Sequence, residues 1–400
     1  MTRTKVGLVL CLAVTLLESN ARSQERQSFQ VLPKSVPQSV ADAPGYAGYV
    51  GDEVCGSCHH DRFGTFQLTA HHRTSQLPNA NSIAGPFAPP ENTVKTIDPA
   101  LSFRMEIRNG GFYETAIFGE PPHSKQHSEM IGIVVGSGKK GQTYLYWKGD
   151  ELYELPISYW IELRRWVNSP GYLDGTANFD RPVIPRCVEC HATYFDSLSP
   201  APLQNRFDKT NFVLGISCER CHGPGAEHVK DNHSATGSAT IVNPAKLSRE
   251  RKMDTCAQCH GGLGEAVAPA FSFRPGEPLA NYIKLQPPAP GASVDVHGNQ
   301  VALLEKSRCF QSSNLSCTTC HDEHEPERPA ASYSNRCIEC HQPEKCGMYK
   351  KLGSQISKNC IDCHMPIQQS NLIVSDLGGS QARAKVRNHW IKIYADSPGH

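Results

Sequence analysis

Cys218-Glu219-Arg220-Cys221-His222-Gly223-Pro224-Gly225-Ala226-Glu227-His228 is the stretch that decides how the rest of the chain is read. Two thiols three residues apart fall on one side of a single helical turn. Cys218 and Cys221 can therefore each add to a vinyl group of one porphyrin. His222 follows at once and is placed to ligate the metal that the porphyrin holds. This Cys-x-x-Cys-His pattern is the attachment signature of c-type haem. Gly223-Pro224-Gly225 then turns the chain, because Gly tolerates φ > 0 and Pro cannot continue a helix. A second histidine, His228, arrives directly after the turn.

The pattern recurs seven times. The thiol pairs are Cys55/Cys58, Cys187/Cys190, Cys218/Cys221, Cys256/Cys259, Cys317/Cys320, Cys337/Cys340 and Cys360/Cys363. The following histidines, the expected proximal iron ligands, are His59, His191, His222, His260, His321, His341 and His364. With 17 Cys and 18 His in 400 residues, shuffled sequence supplies roughly 0.03 matches to the pattern. Zinc sites and redox dithiols also use Cys-x-x-Cys, but neither requires a histidine after every second cysteine. The cofactor expected is heme c, seven copies, covalently attached.

Outward from these units, residues 1–23 read as a signal peptide. Arg3 and Lys5 precede an apolar run from Val6 to Leu17 that is too short to span a bilayer. Cys11 lies in that run and is expected to be discarded with it. Residues 24–48 are rich in Gln, Ser, Pro and Ala and read as a disordered leader. The expectation is an exported protein of the periplasm, cell surface or extracellular space, with no transmembrane segment in the mature chain. A formal charge of +1 gives no argument for nucleic acid. Arg186, Arg220 and Arg336 each stand one residue before an attachment cysteine and are candidate partners for haem propionates.

Residues 49–94 form the first haem-binding segment, with a short helix expected between Asp61 and Thr74. Residues 95–175 carry no unit and read as a β-rich insert. Phe103, Met105 and Ile107 alternate with polar residues up to Asn109-Gly110, a hairpin turn signal. A second hairpin is expected to turn at Lys148-Gly149-Asp150. Residues 176–366 hold six units and are expected to form a domain whose core is supplied by haem rather than side chains. Residues 367–400 make a C-terminal segment with one candidate distal histidine. The fold class expected is mainly α, a haem-centred multihaem cytochrome c of short helices and long loops, plus a small antiparallel β insert. Cys309 and Cys346 stand outside the units, and in an oxidising compartment a leftover pair favours a disulfide.

Several stretches resemble the multihaem c-type cytochromes related to the tetrahaem electron carrier of ammonia oxidisers and to hydroxylamine oxidoreductase. They are Cys218–His228, Ile133–Gly138 with Tyr144-Leu145-Tyr146, Cys317–His324, Cys360–Pro366 and Asn388–Ile391. The resemblance implies distal iron ligands at His71, His228, His297, His324 and His389. His127, between the two hairpins, is a further distal candidate. His60, His72, His123 and His233 complete the inventory, and Met130 or Met365 are the non-histidine alternatives.

Three functions compete on this reading. The first is electron transfer along a haem array to redox partner proteins. The second is an oxidoreductase with one open haem acting on a small inorganic nitrogen or sulfur compound. Under that reading the first unit, set apart by the insert, is the expected open site. The third is a structural or filament role. No catalytic residue is legible, and the spacing leaves the pairing of distal ligands to haems open.

Overall fold

The computed structural model describes residues 48–199, 203–231, 240–262, 264–286 and 293–394. The expected signal peptide, nearly all of the leader, His233 and His400 lie outside the described residues. From residue 75 to 182 the chain is β. In chain order the strands are β1 (Ser75–Gln76), β2 (Thr93–Lys95), β3 (Leu101–Arg108), β4 (Gly111–Phe118), β5 (Lys125–Met130), β6 (Ile133–Val135), β7 (Gly141–Lys148), β8 (Glu151–Glu154), β9 (Ile157–Trp160), β10 (Arg165–Asn168) and β11 (Arg181–Pro182). β2-β3-β4-β5 form one antiparallel sheet. The second runs β1-β6-β7-β8-β11, with β9 and β10 continuing from β7.

Period-2 patterning explains the packing. Leu101, Phe103 and Met105 alternate inward along β3, and Tyr144 and Tyr146 do so along β7. With Ala116, Leu155, Ile157, Trp166 and Phe179 they form one core shared by both sheets. Each of the larger side chains contributes about 1.5–3 kcal/mol by leaving water. β3 and β4 meet at Asn109-Gly110, both at positive φ (50° and 80°). That is the backbone a two-residue hairpin of the right twist requires.

One group in this core titrates against its surroundings. Glu114 on β4 is fully buried. It accepts the Ile157 amide of β9 at 3.1 Å, while its other oxygen has no partner. Burial, the largest cause, holds its pKa well above the carboxylate range. A raised folded pKa stabilises the fold below the unfolded value and loses that contribution as pH rises through the folded one. The thermal midpoint is therefore expected to fall as pH is raised from 5 towards the folded pKa. Glu114→Gln, neutral at every pH, should flatten that slope. A parallel slope in the variant would show that Glu114 is not the group responsible.

The fold is not mainly α. Helix accounts for 26% of the described residues and strand for 28%. Two physical reasons are visible. The helices at the haem units are mostly one turn long, because the unit itself asks for no more. Hairpins also occupy stretches outside the expected insert: β12 (Ala192–Ser197) with β13 (Phe207–Leu214), β14 (Gly264–Ala266) with β15 (Ile283–Leu285), and β16 (Ile367–Leu377) with β17 (Ser380–Arg387). β12 and β13 bring Phe195 and Phe212 face to face at 5.1 Å, the aromatic pairing that favours strands.

A second correction concerns the core of the haem-rich segment. Met253, Ala257, Phe273, Leu279, Ile283, Val301, Leu304 and Phe310 pack into a conventional side-chain cluster. That cluster anchors the twelve-residue helix Arg249–His260, which carries the fourth unit at its end. Among the described residues no helix is long and apolar enough to cross a membrane.

Candidate haem cavity

Every unit sits on or at the end of a short helix. The first closes Asp52–Gly56, the second Pro185–Glu189 and the sixth Ala330–Ile338. The third, fifth and seventh occupy Cys218–His222, Cys317–Cys320 and Cys360–His364. In the first, fifth and sixth units the histidine amide donates to the carbonyl of the first cysteine, at 2.9, 3.0 and 2.9 Å. This one turn puts both thiols and the imidazole on one side.

The termini of these turns are tied by side chains from elsewhere. Asp52 accepts the Cys218 amide at 2.8 Å, a carboxylate at a helix N-terminus. Glu219, inside the third unit, accepts the amides of Val50 (2.8 Å), Gly51 (2.8 Å) and Gly225 (2.9 Å). Glu189 receives Arg186 at 2.9 Å and the Phe271 amide at 2.8 Å, and lies 3.6 Å from Arg220. Arg336 pairs with Glu339 at 2.8 Å. The three arginines considered for propionates are thus each engaged with a carboxylate. Arg220 alone keeps a buried Nε without a partner.

A single cavity of about 3400 Å³ is lined by all fourteen attachment cysteines and all seven unit histidines. Ordinary small-molecule pockets hold about 300–1,000 Å³. The walls are mainly apolar, and no side chains fill the space between them. The donor set, the volume and the apolar lining fit haem c. Bound there, each haem would be held by its two cysteines and its unit histidine and would supply a one-electron iron couple.

Histidines face one another across this cavity. The ring centroids of His59 and His228 lie 6.3 Å apart, and those of His71 and His260 lie 6.1 Å apart. His222 and His324 are 6.0 Å apart, and His321 and His389 are 6.3 Å apart. Metal–imidazole bonds of about 2.0–2.1 Å would set two rings roughly 6 Å apart on either side of one ion. His191 lies within the electrostatic reach of His297. Five of the six distal candidates therefore line the cavity. The exception is His127. It stands on β5, 3.0 Å from Glu129 and tilted against Phe179 with ring centroids 4.5 Å apart, and is not among the lining residues. His72 turns away to Asp52 at 3.5 Å.

Hydrogen bonds orient several of these rings. The Nδ1 atoms of His222, His364 and His389 approach the carbonyls of Val242 (2.8 Å), Lys392 (2.9 Å) and Arg387 (3.1 Å). His260 Nδ1 approaches the Gln300 side-chain oxygen at 3.3 Å. Each acceptor fixes the proton on Nδ1 and leaves the Nε2 lone pair for a metal. Burial, the largest cause in each case, lowers the pKa of His71, His191 and His389 to about 4. Neutral imidazole is the form that binds iron.

Cys309 and Cys346 are both half-buried thiols. Each has a different set of neighbours. Cys309 acts on Cys320 and Cys337, and Cys346 on Cys363. Attachment thiols of different units also meet. Cys55 lies close to Cys218, Cys190 to Cys259, Cys256 to Cys317, and Cys337 to Cys360. Local sequence could not show these links, because they join residues far apart in the chain. Gly215 shows the same closeness: a Cβ there would lie 2.1 Å from the His72 carbonyl.

Comparison with known proteins agrees with this site. The family model for cytochrome c554 and c-prime matches residues 172–223, which contain the second and third units. The C-type polyheme cytochrome OmcC of Geobacter sulfurreducens is 24% identical over 43% of this chain and 21% of its own length. The dissimilatory sulfite reductase MccA of Wolinella succinogenes is 23% identical over 69% of this chain and 41% of its own length. The C-type polyheme cytochrome OmcB of Geobacter sulfurreducens is 24% identical over 34% of the chain and 19% of its own length. The chain thus spans less than half of each of these relatives. No solved structure matches it significantly. These matches support a multihaem c-type cytochrome. Within that class the family it matches is that of cytochrome c554 and c-prime, across the second and third units.

Proposed function

We propose that the chain is an exported seven-haem cytochrome that passes electrons along one continuous array to redox partner proteins. The single cavity lined by every attachment cysteine and every unit histidine carries this reading. Thiol contacts supply the continuity. The first unit meets the third, the second meets the fourth, the fourth meets the fifth and the sixth meets the seventh. Cys221 near Cys256 and Cys320 near Cys337 close the remaining gaps. The protein's part is to hold paired neutral imidazoles, exclude water from them and keep neighbouring units close. Export would follow from residues 1–23, and comparing the mass of the secreted chain with that of the full sequence tests it.

A second reading rests on a count. Seven haems each closed by two histidines need fourteen. Twelve described histidines line the cavity: the seven of the units and His71, His228, His297, His324 and His389. His59 of the first unit has His228 opposite it. Among the described residues, ring contacts with another histidine are recorded for neither His341 nor His364. The open position thus moves from the first unit to the sixth and seventh. An oxidoreductase acting there on a small nitrogen or sulfur compound is the alternative function, and the sulfite reductase among the relatives is in keeping with it.

Carbon monoxide titration of the dithionite-reduced protein, with haem quantified as the pyridine haemochrome, tests both readings. The expected result is seven haems and two carbon monoxide sites per chain. Electron paramagnetic resonance of the oxidised protein with nitrite and with hydroxylamine should then show high-spin signals that shift. Seven haems with no carbon monoxide site would leave electron transfer alone. Fewer than seven haems would overturn the count.

A further inference from the structure

We propose that the segment joining the sixth and seventh units is the docking face for an acidic electron-transfer protein. The proposal rests on the electron-transfer reading and adds where the partner lands and what its surface carries.

Between His341 and Cys360 the chain folds into three consecutive turns: Pro343–Lys345, Tyr349–Leu352 and Gly353–Lys358. They pack on one another, and the last packs on the helix Ala330–Ile338 that carries the sixth unit. Four lysines stand on this cap, Lys345, Lys350, Lys351 and Lys358, against one acid, Glu344. All four are exposed, and none has an ion pair among the described residues. Elsewhere basic side chains are often neutralised locally, as Arg206 is by Asp150 (2.6 Å) and Lys385 by Glu162 (2.8 Å).

The charge extends beyond the cap. From Arg328 to Lys392 the chain has ten Lys and Arg against four Asp and Glu, while the full chain balances to +1. The excess outweighs the four propionates that two haems would bring. Leu352 and Ile338, each 41% exposed, supply apolar surface at the same place. An apolar centre with a charged surround is the anatomy of a transient protein interface. The cap also borders the redox-active cavity: Lys345, Met348 and Ile338 line it, and His341 and Cys340 are exposed. A partner seated here would bring its own centre to the end of the array. Like-charged lysines steer an acidic surface towards it and mainly raise the association rate.

The test uses stopped-flow reduction of the oxidised holoprotein by reduced flavodoxin, an acidic one-electron carrier, at low and high salt. The variant carries Lys345→Glu, Lys350→Glu, Lys351→Glu and Lys358→Glu. The control carries Lys95→Glu, Lys125→Glu and Lys148→Glu on strands β2, β5 and β7 and Lys139→Glu on the loop before β7, the same change in net charge. At low salt the cap variant should react at least about tenfold more slowly than wild type, and the control close to wild type. At about 0.5 M salt the three should converge. Replacement by Gln in place of Glu should give a smaller slowing in the same direction, with an unchanged Soret band showing that the haems remain in place. Equal rates for cap variant and control overturn the proposal. So does a wild type that flavodoxin cannot reduce although dithionite can, and in that case the electron-transfer reading survives. Cap-dependent flotation with phosphatidylglycerol vesicles, with no effect on the flavodoxin rate, would assign the lysines to a membrane surface instead.

Discussion

Glu219→Ala is expected to lower stability by on the order of 3–5 kcal/mol and to loosen the first unit from the third. The reason is in the bonds it removes. Glu219 is fully buried and accepts three backbone amides, those of Val50 and Gly51 before the first unit and Gly225 after the third. Truncation leaves three buried donors without an acceptor, and each costs about 1–3 kcal/mol when water cannot reach it. Burial raises the Glu219 pKa while the same three amides lower it, and burial is the larger effect. The group is therefore held by direct hydrogen bonds more than by charge. Glu219→Gln keeps the shape but presents an NH2 group to at least one amide donor, so it should fall between wild type and Ala. Thermal denaturation followed at the Soret band orders the three. Because His228 lies in the helix that begins beside Gly225 and faces His59 at 6.3 Å, the Ala variant should also perturb the first haem. An Ala variant as stable as wild type, with its low-spin signals intact, would show that water replaces the carboxylate without cost.

The same residue shows where the sequence stops being legible. Cys218, Cys221 and His222 are readable because covalent attachment and axial ligation demand that spacing. The two residues between the cysteines are free of that demand. Arg220 is a candidate propionate partner by position alone, and nothing in the local sequence assigns Glu219 a role. Their partners, Glu189 and the Val50-Gly51 backbone, lie far away in the chain, and no local pattern announces them. The candidate distal histidines divide in the same way. His228 and His324 follow units closely and are visible beside them. His127 is a candidate only by its place between two hairpins, and β5 pairs residue by residue with β4 and places it at Ala116, away from the cavity. Fold class failed for a related reason. A unit specifies one helical turn, and the aromatic and β-branched runs between units are free to pair as strands. Phe195, Phe207 and Phe212 signal β12 and β13 by composition, a weaker local signal than the helical turn that each haem unit specifies.

His71→Ala is expected to create one additional open haem. His71 lies just beyond the helix His60–Phe66 and faces His260, the histidine of the fourth unit, at 6.1 Å. Its backbone carbonyl accepts the Ile216 amide at 3.0 Å, a bond that Ala retains, so the substitution removes the ring and little else. The reduced variant should bind three molecules of carbon monoxide per chain where wild type binds two, and a new high-spin signal should appear in the oxidised state. His72→Ala is the internal control. That ring is partly exposed and only 3.5 Å from Asp52, an interaction worth about 0–1 kcal/mol, and its loss should leave the ligand count unchanged. The fourth unit is an informative place to open the array. Its thiols meet those of the second unit at Cys190 and of the fifth at Cys317, and it neighbours the third through Cys221. A change in potential at that haem would therefore act on electron flow from several directions, slowing transfer between the first and last units without altering either end. If His71→Ala added no carbon monoxide site, His260 would have its second ligand elsewhere, and the facing of the two rings would be packing alone.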